Sequence, residues 1–278
     1  MNNKPILSSL CLGLLILTAG LLGGCGSTST STLYDTPNWM PDGRIICSKL
    51  VVTTSQQLYG GGISDSKGYI TAFYPSGTGE VDLFEGGLGE EITCSPTGER
   101  IAGIARSTYQ GVYRPIVISD YKGNLSIVPN TSYVNYFDWS PDATKLVYSS
   151  SRDLYIINRD GTGKTLLTSE ADGPISWRIG NLISYSNLYV IDPDGSGNKY
   201  IFAGRYPQNY SSSEIVCQGS DGIYRVNNDG SSNVKLFSDY KPYTLKLSFD
   251  GQRIVGGAFG DSGIWLINID GTGYTKIR

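Results

Sequence analysis

The segment Tyr136-Phe137-Asp138-Trp139-Ser140-Pro141-Asp142-Ala143-Thr144-Lys145-Leu146-Val147-Tyr148-Ser149-Ser150-Ser151-Arg152-Asp153-Leu154-Tyr155-Ile156-Ile157-Asn158-Arg159-Asp160-Gly161 holds three apolar runs set apart by tight-turn signals. Apolar residues alternate within each run, as half-buried strands require. Ser140-Pro141-Asp142 marks a first turn, because Pro presets φ and Asp caps its own backbone. Ser151-Arg152-Asp153 marks a second. Asp160-Gly161-Thr162-Gly163 marks a third, with Gly where φ is positive. Lys164 to Thr168 supply a fourth strand. Four antiparallel strands joined by three hairpins make one propeller blade.

The third turn returns along the chain as Ser76-Gly77-Thr78-Gly79, Lys122-Gly123-Asn124, Asp194-Gly195-Ser196-Gly197, Asp229-Gly230-Ser231-Ser232 and Asp270-Gly271-Thr272-Gly273. With Gly161 included, its glycines lie 46, 38, 34, 35 and 41 residues apart. A period near 40 with strand-like flanks marks a propeller or solenoid, since one repeat cannot bury its own apolar face. The predicted fold is all-β: one six-bladed β-propeller over residues 35–278, each blade a four-stranded antiparallel sheet. The chain starts at an innermost strand and ends on an outermost one, Tyr274 to Arg278. The ring is therefore expected to close by packing, with Leu33-Tyr34 a candidate for pairing across the seam.

The first turn also recurs, as Trp39-Met40-Pro41-Asp42-Gly43, Cys94-Ser95-Pro96-Thr97-Gly98 and Leu247-Ser248-Phe249-Asp250-Gly251. Blade four is worn: Ile175-Ser176-Trp177 runs into Arg178 to Gly180 without Pro-Asp. Blade five keeps only Ile223-Tyr224-Arg225-Val226 and its Asp229-Gly230. The succession of Trp-Ser-Pro-Asp, an apolar strand, Ser-Arg-Asp, Leu-Tyr, Asp-Gly and Leu-Thr resembles the WD-like repeat of TolB-type six-bladed propellers. That resemblance implies the fold and a cell-envelope setting. TolB itself carries an α/β domain before its propeller, and here a Ser/Thr-rich leash runs straight into blade one. Roles of that domain are not carried across.

Histidine is absent from the 278 residues, which removes Ser-His-Asp and Cys-His catalysis and most transition-metal sites. A net charge of −3 leaves no basic footprint for nucleic acid. Residues 1–24 read as a lipoprotein signal: Lys4, the apolar stretch Ile6 to Leu22, then Leu22-Gly23-Gly24-Cys25, which resembles the bacterial lipobox. An uncleaved membrane helix is the competing reading. The stretch is short for about 20 residues of span and is broken by Ser8, Ser9, Gly13, Thr18 and Gly20. Acyl chains on Cys25 would hold the protein to a membrane, with residues 25–34 a polar tether. The location that follows is the periplasmic side of the outer membrane in a Gram-negative cell, otherwise the outer leaflet of the cell membrane.

Cys47, Cys94 and Cys217 sit inside predicted strands, as buried thiols or with a Cys47–Cys94 bridge; their odd number argues against a disulfide framework. Gly260-Asp261-Ser262-Gly263 spells a protease nucleophile motif but has no histidine to act as base, and reads as a hairpin turn. Asp192-Pro193-Asp194-Gly195-Ser196 lacks the terminal Glu of an EF-hand loop, so hairpin chemistry accounts for it. Glu90 with Glu91, and Asp120 with Asp138, are the candidate acid/base pairs; solvated turn charges are the competing reading. No cofactor or metal is expected.

First and third turns of a blade share one face. The second turn and the inter-blade link share the other, and length variation falls there. Its segments carry Tyr59, Tyr109, Tyr113, Tyr133, Tyr206, Tyr210, Tyr240 and Tyr243, with Arg106, Arg114 and Arg205. Interfaces favour Tyr and Arg, and function tends to ride on loops over a rigid scaffold. The expected function is non-enzymatic recognition of an envelope protein, peptide or glycan. The alternative is a carboxylate-based enzyme acting on carbohydrate or cell wall.

Overall fold

A computed structural model describes residues 28–55, 63–86, 88–105, 107–238, 244–258 and 261–278. These residues form six four-stranded antiparallel sheets and one two-stranded hairpin, with no helix among them. Blade three is built as its sequence reads: Val134–Trp139, Lys145–Ser150, Asp153–Asn158 and Thr165–Thr168, with Leu146 opposite Ile157 and Tyr148 opposite Tyr155. The first turn is locked by Ser140. Its hydroxyl accepts from Lys145 N at 2.9 Å and donates to Asp142 Oδ1 at 2.6 Å. At the second turn both Ser151 and Arg152 take positive φ, 52° and 74°, as a two-residue hairpin of this twist demands.

The third turn explains its glycine. Gly161 has φ +85°, and a Cβ there would lie 2.7 Å from Pro129 in the preceding link. Gly43 has a similar φ of +83° with nothing within 4 Å. Gly43→Ala is therefore expected to cost about 1 kcal/mol from backbone strain alone, and Gly161→Ala about 2 kcal/mol once overpacking is added. Urea unfolding of the two variants checks that order.

Six hydrophobic clusters fill the six seams between blades. Ile46 and Ile70 meet Ile92 and Ile101; Ile104 and Ile116 meet Phe137 and Trp139; Leu154 and Ile156 meet Trp177 and Ile183. Leu188 and Val190 meet Ile215; Val216 and Ile223 meet Leu247 and Ile254; Val255 and Ile264 meet Trp39 and Phe73. The alternating apolar pattern of each strand is thus shared between the two neighbours of its blade, which is why no blade is stable alone.

Two expectations about the N-terminal segment change. Thr28–Tyr34 is not a loose leash: it belongs to a twelve-residue strand, Thr28–Trp39, paired from Thr28 opposite Ser55 to Trp39 opposite Ile45. With Ile45–Ser55 and Ile63–Phe73 it forms a three-stranded ribbon, and the Thr28–Thr32 side chains stay exposed. Ladder hydrogen bonds hold this polar stretch, and β-branched Thr suits them. Leu33 and Tyr34 make no strand pair across the seam either, since they pair with Leu50 and Lys49 of their own blade; the Tyr34 ring contributes to it only by packing, beneath Arg278. The last sheet uses only residues from Lys246–Leu247 to Thr275–Lys276. Side chains close the ring instead. Trp39 Nε1 donates to Lys246 O at 3.1 Å, and Arg278 reaches Glu80 at 3.0 Å while lying over Phe73 at 4.3 Å.

Candidate functional site

An innermost strand has no ladder partner on its channel side, so its free backbone groups need partners from elsewhere. One position of the repeat supplies them. The residues just before the tryptophan place of each blade are Asn38, Thr93, Asp138, Ser176, Gln208 and Lys246, all but Lys246 buried. Asn38 Nδ2 donates to Ile92 O at 3.0 Å, and Asp138 Oδ2 accepts from Trp177 N at 2.9 Å. Ser176 Oγ accepts from Asn209 N at 3.1 Å, and Gln208 Oε1 from Leu247 N at 3.4 Å. Each of these bonds ties one inner strand to the next around the ring.

Arg178 crosses that ring. It sits where blades two, three and six have the turn serines Ser95, Ser140 and Ser248, in the worn turn of blade four, and is only 8% exposed. Its guanidinium donates to Leu247 O of blade six at 3.2 Å, Asn38 Oδ1 of blade one at 3.0 Å and Thr93 Oγ1 of blade two at 3.3 Å. The ring of Phe249 lies 4.4 Å from the guanidinium carbon. One side chain therefore links four blades across the axis.

The variable-loop face carries an aromatic pair. Blade two inserts a small hairpin, Thr108–Tyr109 with Val112–Tyr113, between its second and third strands. Tyr113 meets Tyr133 from the link to blade three, with ring centroids 5.1 Å apart and planes tilted by 47°. The two are 46% and 59% exposed. Their backbones are fastened by Tyr133 N donating to Tyr113 O at 2.9 Å and Arg114 Nε to Val134 O at 3.2 Å. Gln110, Arg114 and Tyr133 all take positive φ, between 47° and 51°, a strained state that packed surroundings must hold.

The other expected recognition residues are spread out. Tyr109 is half-buried against the seam of blades one and two, and Tyr206 against that of blades five and six. Arg205 is exposed at the start of the inner strand Arg205–Asn209. Tyr210 lies at the opposite end of that strand, in the first turn, where its N–H bonds Glu214 O at 2.9 Å and Arg225 lies 5.6 Å from its ring. It therefore belongs to the stereotyped-turn face. Cys25, Tyr59, Arg106, Tyr240 and Tyr243 lie outside the described residues.

Of the expected acid/base pairs, Asp120 and Asp138 lie apart. Glu91 is engaged by Lys246 at 3.3 Å, and nothing is described of the Glu90 side chain. Asp138 is buried in the inner ring, whereas Asp120 is half-buried in an outer turn, accepting from Lys122 N and Asn124 N. Asp192 and Asp194 are occupied by Ser196 within their hairpin. In Gly260-Asp261-Ser262-Gly263, Asp261 pairs with Ala258 at the second hairpin of blade six, whose tip at 259–260 lies outside the described residues. Among the described residues no group of three or more His, Cys, Asp or Glu could hold a metal ion.

Cys47, Cys94 and Cys217 are all buried and unbridged, so the Cys47–Cys94 alternative falls. Burial pushes the Cys94 and Cys217 thiols up to about 12 and raises Cys47 further still. The thiolate is the reactive form, so these cysteines should resist iodoacetamide in the folded protein at pH 8 and react once urea unfolds it. Mass spectrometry of the alkylated chain reads this directly.

No family model matches the chain, and no curated protein does. Among solved structures it is similar to an oligogalacturonate lyase in complex with manganese, at TM-score 0.55 and 13% identity, covering 89% of this chain and 78% of that one. The β-propeller domain of the Trilobed protease from Pyrococcus furiosus, which has an open velcro topology, aligns at TM-score 0.51 and 8% identity over 89% of this chain and 98% of that one. TolB from Acinetobacter baumannii aligns at 17% identity over 86% of this chain with TM-score 0.43, and this chain spans 52% of its length. The first two likenesses define a class of fold, the β-propeller. Within it this chain is a six-bladed ring, and its WD-like pattern, strongest in blade three and worn in blades four and five, follows the blades in order.

Proposed function

We propose that this chain is a membrane-anchored bacterial lipoprotein whose propeller is a non-enzymatic interaction module of the cell envelope, recognising a protein, peptide or glycan through its variable-loop face. The observation that carries this reading is the exposed Tyr113–Tyr133 pair held by left-handed backbone on that face. Exposed aromatic residues fixed on a rigid scaffold make strong contacts at low entropic cost. The axis, where a propeller could hold a small substrate, is crossed by Arg178, and the nearby carboxylates of Asp138 and Glu91 are engaged. Among the described residues no group of three or more His, Cys, Asp or Glu could hold a metal such as the manganese of the lyase neighbour.

The anchor is Cys25, three residues before the ribbon begins at Thr28. The ribbon leaves the ring on the variable-loop side and extends about 20 Å beyond it at the usual rise per residue. Membrane and Tyr113–Tyr133 pair then lie on the same side, separated by a stiff spacer. Crosslinking the full-length lipidated protein in native envelopes should capture a discrete partner, and Cys25→Ala should leave the membrane fraction and lose that capture. A Cys25→Ala protein that fractionates like wild type would refute the anchor; an envelope crosslink pattern without any discrete product would refute the module.

A further inference from the structure

A cleft of about 240 Å³ opens between blades two and three on the stereotyped-turn face, walled by Arg100, Asp120, Asn124, Ser126, Arg159 and Asp160. Two departures from the repeat meet in it. In blade one, Arg44 is held by the carboxylate of its own first turn, Asp42, at 2.7 Å. Equivalent backbone bonds, Met40 N to Arg44 O and Ser95 N to Arg100 O, make Arg100 its counterpart in blade two. There the acidic turn position is Thr97, so Arg100 has no carboxylate in its own first turn; the nearby charge it does act on is Asp120.

Arg159 departs differently. Its N–H bonds Thr144 O just as Asn228 N bonds Ser213 O and Ile269 N bonds Gln252 O. The corresponding residues of the other blades are Pro75, Tyr121, Pro193, Asn228 and Ile269, none of them basic. Neither the Arg100 nor the Arg159 guanidinium has a hydrogen-bond or ion-pair partner among the described residues. The acids on the same wall are engaged by their own turns. Asp120 accepts from Lys122 N, Asn124 N and Asn124 Nδ2, and Asp160 accepts from Thr162 N and Thr162 Oγ1. These bonds turn both carboxylates into their own turns, while the two guanidinium groups that line the cleft stay unpartnered.

We propose that this cleft binds a small oxyanion, a carboxylate or a phosphate, between Arg100 and Arg159. Guanidinium forks match both groups bidentately. The cleft is below the usual range for a drug-sized ligand, so it suits a single sugar acid, amino acid or phosphate ester rather than a macromolecular surface. Asp120 and Asp160 temper the positive field, which makes the affinity modest and sensitive to salt.

The test is calorimetric titration of the full chain with inorganic phosphate and, separately, with acetate, at constant ionic strength made up with chloride. Saturable binding of at least one probe is expected, weakened about tenfold or more in Arg100→Gln Arg159→Gln and unchanged in Arg152→Gln. Phosphate alone binding assigns the site to phosphate esters, and acetate alone to carboxylates. Thermal melts verify folding, and each single variant should weaken binding if the double variant does not fold. Absence of saturation with both probes, or wild-type affinity in the double variant, overturns the proposal.

Discussion

Arg178→Ala should lower the stability of the propeller by about 3 kcal/mol, the scale seen when buried hydrogen-bonded groups lose a charged partner. For a domain of this size that is a fall in melting temperature of about 6–12 °C. The reason lies in what is left behind. Leu247 O loses the Arg178 donor, Asn38 Oδ1 keeps only Trp39 N at 2.8 Å, and Phe249 loses the guanidinium that lies 4.4 Å from its ring. Arg178→Met separates two contributions, since it restores most of the volume but none of the three bonds. Arg178→Lys keeps the charge, yet a compact ammonium cannot spread its donors over blades six, one and two as a planar fork does. A melt of Arg178→Ala within a degree of wild type would remove the staple from this account.

Tyr113→Ala should weaken partner capture by about tenfold to a hundredfold while the melting temperature barely moves. Interface hot spots of this residue type cost about 2 kcal/mol or more on truncation. The structural loss is small because both rings are about half exposed, leaving only the pair contact with Tyr133 at 5.1 Å. Such a pair is worth about 1 kcal/mol at most sites. Tyr133→Ala should act in the same direction, and a Tyr113 Tyr133 double variant should show less than the sum, because the two rings form one contact surface. Arg205→Ala, exposed on the same face, should weaken capture to a lesser degree. Loss of stability in Tyr113→Ala matching its loss of capture would mean that the pair is packing rather than recognition.

The ring was readable in the sequence because its signals are local. Ser140-Pro141-Asp142, Ser151-Arg152 and Asp160-Gly161 each act within four residues through turn hydrogen bonds and positive φ, so their spacing gives the blades. Arg178 was not readable as a staple. Its partners lie 69, 140 and 85 residues away, and only ring closure brings them together. The available signal was the missing Ser-Pro-Asp of blade four, where the break in the repeat coincides with the residue that reaches out. Tyr210 falls on the stereotyped-turn face rather than among the variable loops for the same kind of reason: blade five lacks a Pro-Asp marker, so its sequence does not mark the end of the inner strand. Thr28–Tyr34 looked like a leash because Ser/Thr repeats bury nothing. Strand pairing with Lys49–Ser55 does not require burial.

The pairing of Tyr113 with Tyr133 joins two segments that the sequence had marked separately as tyrosine-bearing loops. The inserted hairpin Thr108–Tyr113 and the link after Pro129 become neighbours because blade two hands the chain to blade three at that edge. The most direct measurement places a photoreactive side chain at Tyr133 in the full-length protein, with a second protein carrying it at Asp160 on the opposite face. Irradiation in native envelopes should give a discrete adduct from position 133 and none from position 160. An adduct from position 160 with none from position 133 would contradict recognition through the variable-loop face.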